Sequence, residues 1–236
     1  MRLDKFLVEC GIGSRKEVKK LISNGEITVN GMSDILAKDN IDENSDTIEY
    51  NGERLEYKEF RYYIMNKKAG YITATEDFKE DTVMDLLPEW VIKKDLVPVG
   101  RLDKDTEGLM LLTNDGELAH KLISPKKDVE KKYYVEVSGE LKEEHIKLIK
   151  DGLTIDGGYK CKSARLEILE SSKEKSRAYI FITEGKFHQV KRMMKSLATT
   201  VTYLKRLSIG TLILDENLKL GEYRYLTEEE LKNLNK

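Results

Sequence analysis

The stretch GRLDKDTEGLMLLTNDG, residues 100–116, places Asp103 in a charged turn immediately before an apolar run. Leu109-Met110-Leu111-Leu112 reads as a buried strand, bounded by Gly108 before it and Thr113-Asn114-Asp115-Gly116 after it. Arg101 and Asp103 are two apart, so on extended backbone they share one side and Leu102 takes the other. Such a turn is either an ordinary solvated loop or a reactive group on a rigid mount. For an arbitrary aspartate the first reading wins more often, so the rest of the chain has to decide.

The 236 residues allow one large domain or two unequal ones, with enough bulk for a real core. The composition is that of a globular protein, 39% apolar and 36% charged, with no low-complexity tract. No apolar run approaches the roughly 20 residues needed to cross a bilayer, which predicts no membrane association. The N-terminal MRLDKFLVEC carries charges through its apolar residues and lacks a signal-peptide core. Cys10 and Cys161 lie far apart and fit free thiols in a reducing cytoplasm. His120, His145 and His188 have no ligand-like spacing, so no metal is expected.

Charge is nearly balanced, with 41 Lys and Arg against 43 Asp and Glu. Its distribution is not. Residues 1–31 carry six basic and four acidic side chains, and residues 32–57 carry two and eight. The stretch 186–206 carries six basic residues, Lys186, Lys191, Arg192, Lys195, Lys205 and Arg206, and no acid. Local basic patches of this kind suffice for contact with phosphates.

Near the N-terminus, Leu3, Phe6, Leu7 and Cys10 have helical spacing, and Gly11 and Gly13 end that helix. Ser14 followed by Glu17 is a capping box that opens a second helix, with Val18, Leu21 and Ile22 as its buried stripe. Asn24-Gly25 supplies a left-handed stop, EITV a strand, and Asn30-Gly31 a hairpin turn. On the exposed side of the second helix, Arg15 pairs with Lys19 and Lys16 with Lys20 one turn apart. Residues 49–60, EYNGERLEYKEF, are polar and read as a linker.

Beyond residue 60, RYYIMNKKAGYITAT reads as a strand, a turn at residues 67–70, and a second strand. DTVMDLLP, GELAHKLISP, LKEEHIKLIKDG and KFHQVKRMMKSL read as helices; KKYYVEVSG and KSRAYIFITEG read as strands. Their irregular order predicts an α+β domain around a mixed, mainly antiparallel sheet.

The basic helix that leads into a strand and tight turn resembles the S4 RNA-binding domain. GRLDKDTEGLMLLTNDG, EKKYYVEV and ITEGKFHQVKRMM, in that order behind such a module, resemble the RsuA-type ribosomal pseudouridine synthases, as does LGEYRYLTEEEL near the end. The resemblance implies an S4 domain over residues 1–57 and a catalytic domain over residues 60–236. It implies isomerisation of a uridine in small-subunit ribosomal RNA, with the same reaction on the large subunit, or a non-catalytic assembly factor, as alternatives. No cofactor is implied; the implied partner is ribosomal RNA in an assembling particle, bound by a cytoplasmic monomer.

The same resemblance assigns Asp103 as nucleophile, Lys191 as its counter-charge and Tyr133 as the aromatic partner of the base. It assigns Arg101, Arg15, Lys16, Lys19, Lys20, Arg192 and Lys195 to RNA, and His188 and Gln189 to orienting their loop. Lys121, Lys126, Lys127, Lys131 and Lys132 are expected to add to the RNA-binding surface. An Asp103–Lys191 pair sealed in a cleft would cost about 3–5 kcal/mol on loss of one partner. One departure stands out: where the family has Asn-Lys-Pro-x-Gly, this chain has Asn66-Lys67-Lys68-Ala69-Gly70, which loosens the turn and adds a cation.

Overall fold

The computed structural model describes residues 1–57, 60–88, 91 and 96–235, which divide into two compact units. One comprises Met1–Arg61 with Leu87–Leu96, the other Tyr62–Leu86 with Val97–Lys236.

The first unit packs helices α1 (Leu3–Glu9) and α2 (Arg15–Ser23) on a sheet of β1 (Ile27–Val29), β2 (Ile48–Tyr50) and β3 (Glu53–Arg54). Leu3, Phe6, Leu7, Val18, Ile27 and Ile48 form its centre. The capping box of α2 is complete: the Glu17 amide donates to Ser14 Oγ at 3.3 Å and the Ser14 amide to Glu17 Oε2 at 2.7 Å. Asn30 and Gly31 both adopt positive φ, as a two-residue hairpin turn requires, but only one bridge forms beyond it, Val29 to Met32. The partner of β1 is β2 instead, because Asn30 captures the start of that strand. The Thr47 amide donates to Asn30 Oδ1 at 2.8 Å and the Asn30 amide to the Thr47 carbonyl at 2.7 Å.

The linker expected at residues 49–60 is corrected by the structure. Asn51-Gly52 is a second turn of positive φ, which folds β3 onto β2 with Glu49 opposite Arg54. Its strands are short and polar, which disguised them as linker. Residues 58 and 59 lie outside the described residues.

The second unit contains β4 (Tyr62–Lys67), β5 (Val97–Pro98), β6 (Glu107–Thr113), α3 (Gly116–Ile123), β7 (Lys131–Ser138), α4 (Glu143–Lys150), β8 (Thr154–Ile155), β9 (Tyr159–Lys160), β10 (Arg165–Ser171), β11 (Lys175–Ile182), α5 (Gln189–Ser196), β12 (Thr200–Ile209), β13 (Leu212–Ile213), β14 (Tyr223–Tyr225) and α6 (Glu228–Leu234). The main sheet runs β10-β11-β7-β12-β6-β4-β14, with β13 on β12 and β5 on β6. All its pairings are antiparallel except β12 with β6. The fold is therefore α+β on a mixed, mainly antiparallel sheet. Lys131, Tyr133, Val135 and Val137 occupy the buried face of β7, as the alternation of KKYYVEVS requires. Leu109 and Leu111 of β6 pack with Leu118 and Leu122 of α3 and with Ile209. Near the C-terminus, Arg224 of LGEYRYLTEEEL is structural, held by Asp215 at 2.8 Å and by both oxygens of Glu230.

A second strand after the turn at residues 67–70 does not form. Ile72 makes one bridge, to Thr82, because the polar groups of this segment serve the neighbouring loop described below. Most consequential for the site is Gly108, with φ +101°, where β6 meets β12. A Cβ there would lie 2.2 Å from the Arg206 carbonyl oxygen. Only glycine permits that approach. Gly108→Ala is expected to destabilise the protein by more than about 3 kcal/mol in denaturant titration. Gly116→Ala, whose Cβ meets nothing within 4 Å, should change stability by less than about 1 kcal/mol.

Candidate active site

The turn at residues 101–106 is built around a lysine from another strand. Lys67 ends β4 and is fully buried. Its ammonium donates to the carbonyls of Lys68 at 3.2 Å, Asp103 at 3.1 Å, Lys104 at 3.3 Å and Thr106 at 2.7 Å. Burial pushes the Lys67 pKa down to about 8, although the nearby carboxylates of Asp105, Glu107 and Asp103 oppose that shift. The Gly70 amide donates to the Lys104 carbonyl at 2.8 Å, and Thr73 clamps the backbone of Leu102 by both donating and accepting. The loop is thus tied from the Asn66–Gly70 segment without the missing proline. Leu102 is buried, Arg101 is exposed, and half-buried Asp103 lines a cleft.

The facing wall is the N-terminus of α5. Gln189 is buried and organises it: Oε1 accepts from the Lys186 amide at 2.8 Å, and Nε2 donates to Glu184 Oε1 at 2.7 Å. Glu184 also accepts from the Tyr159 hydroxyl at 2.6 Å and the Lys162 amide at 2.9 Å. His188 takes a left-handed conformation, φ +50°, just before the helix, and stacks on Phe187 with centroids 3.7 Å apart. Val190, Met193, Met194 and Leu197 anchor the helix in the core, each worth about 1.5–3 kcal/mol of burial.

From this helix Lys191 reaches Asp103 Oδ2 at 3.0 Å. It also reaches Asp105 Oδ1 at 2.6 Å, and His188 Nε2 lies 3.5 Å from Asp103 Oδ1. Burial disfavours the charge on Lys191, but hydrogen bonds to Asp105 and Asp103 outweigh it and raise its pKa above the ordinary lysine value. Burial likewise opposes ionisation of Asp105, which Lys191 more than offsets, holding that carboxyl below the usual range.

Two expectations change here. The pair is not sealed: the side chains of Lys191 and Asp103 retain 24% and 26% exposure, so water screens it and loss of one partner costs less than for a buried pair. Nor is it exclusive, because Asp105 shares the ammonium. The Asp-x-Asp spacing in the sequence carried that signal, since residues two apart on extended chain share a side.

Asp103, Lys191, Tyr133 and Arg101 all line one cleft of about 680 Å³. Tyr133 is buried on β7 and supplies an aromatic wall. An ionised carboxylate with an ammonium counter-charge, beside an aromatic wall and open to solvent, can attack an electrophilic carbon or accept a proton.

The cations expected on RNA fall into two groups. Arg15, Lys16, Lys19 and Lys20 are exposed on α2, and Lys195 is exposed on α5. Arg192 is instead engaged with the side chain and carbonyl of Asp156 and with the Phe187 carbonyl, bracing the loop before α5. Three of the additional lysines are also committed within the protein. Lys121 donates to the Asn235 carbonyl at 3.0 Å, Lys132 sits 3.8 Å above the Tyr179 ring, and Lys131 is buried. Arg206, counted in the basic stretch 186–206, is 2% exposed. Sequence inspection missed Lys67, Asp105 and Glu184 as organisers of the site.

The arrangement is that of an enzyme site on a rigid sheet. Residues 61–196 match the RNA pseudouridylate synthase family and residues 1–32 the S4 domain, and the chain belongs to the first of these families and carries the second. It is an RNA pseudouridine synthase. Over 235 residues it is 48% identical to an uncharacterised RNA pseudouridine synthase of Bacillus subtilis, covering 100% of this chain and 98% of that one. It is 38% identical to ribosomal small subunit pseudouridine synthase A of Vibrio cholerae, covering 99% of each, and 36% identical to ribosomal large subunit pseudouridine synthase B of Bacillus subtilis, covering 99% and 95%. A crystal structure of a pseudouridylate synthase superimposes with a TM-score of 0.70 at 34% identity, covering 99% of both chains.

Lys67→Met removes the charged donor to the four carbonyls named above. It is expected to speed amide exchange at Thr106 and Gly70 by at least about tenfold, read by hydrogen–deuterium exchange of the native protein.

Proposed function

We propose that this enzyme converts a uridine of small-subunit ribosomal RNA to pseudouridine, acting in the cytoplasm as a monomer on RNA in an assembling particle. Asp103 is the nucleophile, Lys191 its counter-charge and Tyr133 the surface against which the extruded uracil stacks. The observation that carries this reading is the 3.0 Å Asp103–Lys191 contact inside the cleft that Tyr133 lines. The full-length similarity to ribosomal small subunit pseudouridine synthase A supports the choice of RNA.

In this reading the target base first leaves its helix, at a cost of a few kcal/mol that contacts with the surrounding RNA offset. The bond from N1 to the ribose C1′ then breaks, its electron pair staying on the base, and C1′ is captured by the Asp103 carboxylate. The detached uracil turns, C5 bonds to C1′, and the carboxylate leaves with the pair it had donated. N1 gains a proton and C5 loses one, so the product is an isomer of the substrate. The Tyr133 hydroxyl relays this last exchange, taking the C5 proton as it gives up its own, which ends on N1. Lys191 holds the carboxylate in line for attack and meets its charge when it departs. Arg101 at the cleft contacts the RNA backbone.

Mapping pseudouridines in ribosomal RNA from cells with and without the gene tests the reading. One small-subunit position should lose modification on deletion and regain it with the wild-type gene, but not with Asp103→Asn, which keeps shape and removes nucleophilicity. Loss confined to the large subunit would move the target, and full modification by Asp103→Asn would end the assignment of the nucleophile.

RNA affinity should fall steeply with salt, because phosphate contacts release counterions. Lys16→Gln with Lys20→Gln is expected to make the slope of log affinity against log salt shallower by about 1–2, measured by filter binding or anisotropy.

A further inference from the structure

Two cations that the reaction above does not use also line the cleft, Lys131 and Arg206. They are 8% and 2% exposed, and buried lysine and arginine are ordinarily found paired with an acid. Here neither forms an ion pair with a carboxylate among the described residues. The Lys131 ammonium donates to one carbonyl, that of Val129, at 2.7 Å. Arg206 donates through Nε to the Leu109 carbonyl at 2.8 Å and through Nη2 to the soft Met110 sulfur at 3.8 Å. Asp128, the acid whose field reaches Lys131, is itself held by Lys162 at 2.6 Å.

Their placement relative to Tyr133 is fixed by the sheet. Lys131 lies two residues before Tyr133 on the buried face of β7, and Arg206 stands directly opposite Tyr133 on β12. The aromatic wall therefore has one under-satisfied cation along its own strand and another on the neighbouring strand, in a site where low dielectric strengthens any attraction to negative charge. The family reaction generates such a charge in this place. When the N1–C1′ bond breaks with its electrons on the base, uracil becomes an anion whose charge spreads over N1 and the carbonyl oxygens.

We propose that Lys131 and Arg206 form an oxyanion site for the detached uracil, donating to its carbonyl oxygens while the base is free. The proposal rests on Tyr133 being the wall against which the base stacks. It explains why two cations are kept buried without acids: a resident carboxylate would cancel the field that the leaving base requires. Lys131 is also poised to lose its charge within an accessible range. Burial, and then the neighbouring Arg206, push its pKa down to about 8, against Asp128 and with Lys162. The charged form is present below that pH and lost above it, so the attraction should weaken as pH rises through about 8.

The test uses free pyrimidines on the intact protein, so that it does not depend on which RNA is modified. Barbiturate, an anion at neutral pH with the shape of uracil, should bind at least tenfold more tightly than neutral uracil by isothermal titration. That preference should fall at least tenfold in Lys131→Met and persist in Lys131→Arg. It should also weaken between about pH 6.5 and pH 8.5, where uracil stays neutral, in the wild type, and not in Lys131→Arg. If Lys131→Met does not fold, the pH dependence of wild type against Lys131→Arg decides alone. Equal binding of barbiturate and uracil, or a preference that stays constant across that pH range in the wild type, overturns the proposal. On the mapped RNA, Lys131→Met should lower the single-turnover rate at least a hundredfold at unchanged RNA affinity. A loss of affinity with an unchanged rate would place the cation on a phosphate and also overturn it.

Discussion

The site depends on one buried ammonium. Lys67 gives up water and takes four carbonyl oxygens in its place, three of them from the turn that carries Asp103. A turn of this length cannot satisfy its own backbone, and unpaired buried carbonyls are costly. The lysine solves that problem, and in doing so it fixes the path of the chain through Asp103 and Thr106. Burial penalises the cation, so the local backbone has little freedom to rearrange without leaving a charge stranded.

Lys191 does the opposite task with the same functional group. It sits where solvent still reaches it and binds side chains, Asp103 and Asp105, instead of backbone. Its strength comes from sharing between two carboxylates, and its position comes from α5. The loop before that helix is held by Glu184, Gln189 and Arg192, each bonded to more than one partner. An ammonium that solvent reaches can still adjust its contacts, while an enclosed one cannot. The difference in burial between Lys191 and Lys67 expresses that division.

Most of the architecture was legible from pattern. The Ser14/Glu17 capping box, the alternation of β7 and the apolar stripe of α5 are local rules, and local rules survive tertiary context. The meeting of Asp103 with Lys191 was legible only through family resemblance, since no periodicity links residues so far apart. What escaped notice shares a cause. Asn51-Gly52 carries the same turn signal as Asn30-Gly31, but its short polar strands hid the hairpin. Lys67 read as one residue of a turn, and Lys131 and Arg206 as part of basic patches for RNA, because a sequence cannot say which charges are enclosed. Thr73 sits in a segment of strand-like composition, yet its hydroxyl is spent on Leu102 and no ladder forms.

The parallel junction of β6 with β12 has a consequence for how the protein comes into being. Asp103 leads into β6, and Lys191 lies on the helix that precedes β12, so the two groups meet only where those strands run side by side, with Gly108 against Arg206. Parallel neighbours far apart in the chain cannot pair until the later one exists. As the polypeptide leaves the ribosome, the aspartate is exposed long before its ammonium partner has been synthesised. The Asp103–Lys191 pair therefore cannot form until α5 and β12 have been made, a timing set by chain order alone.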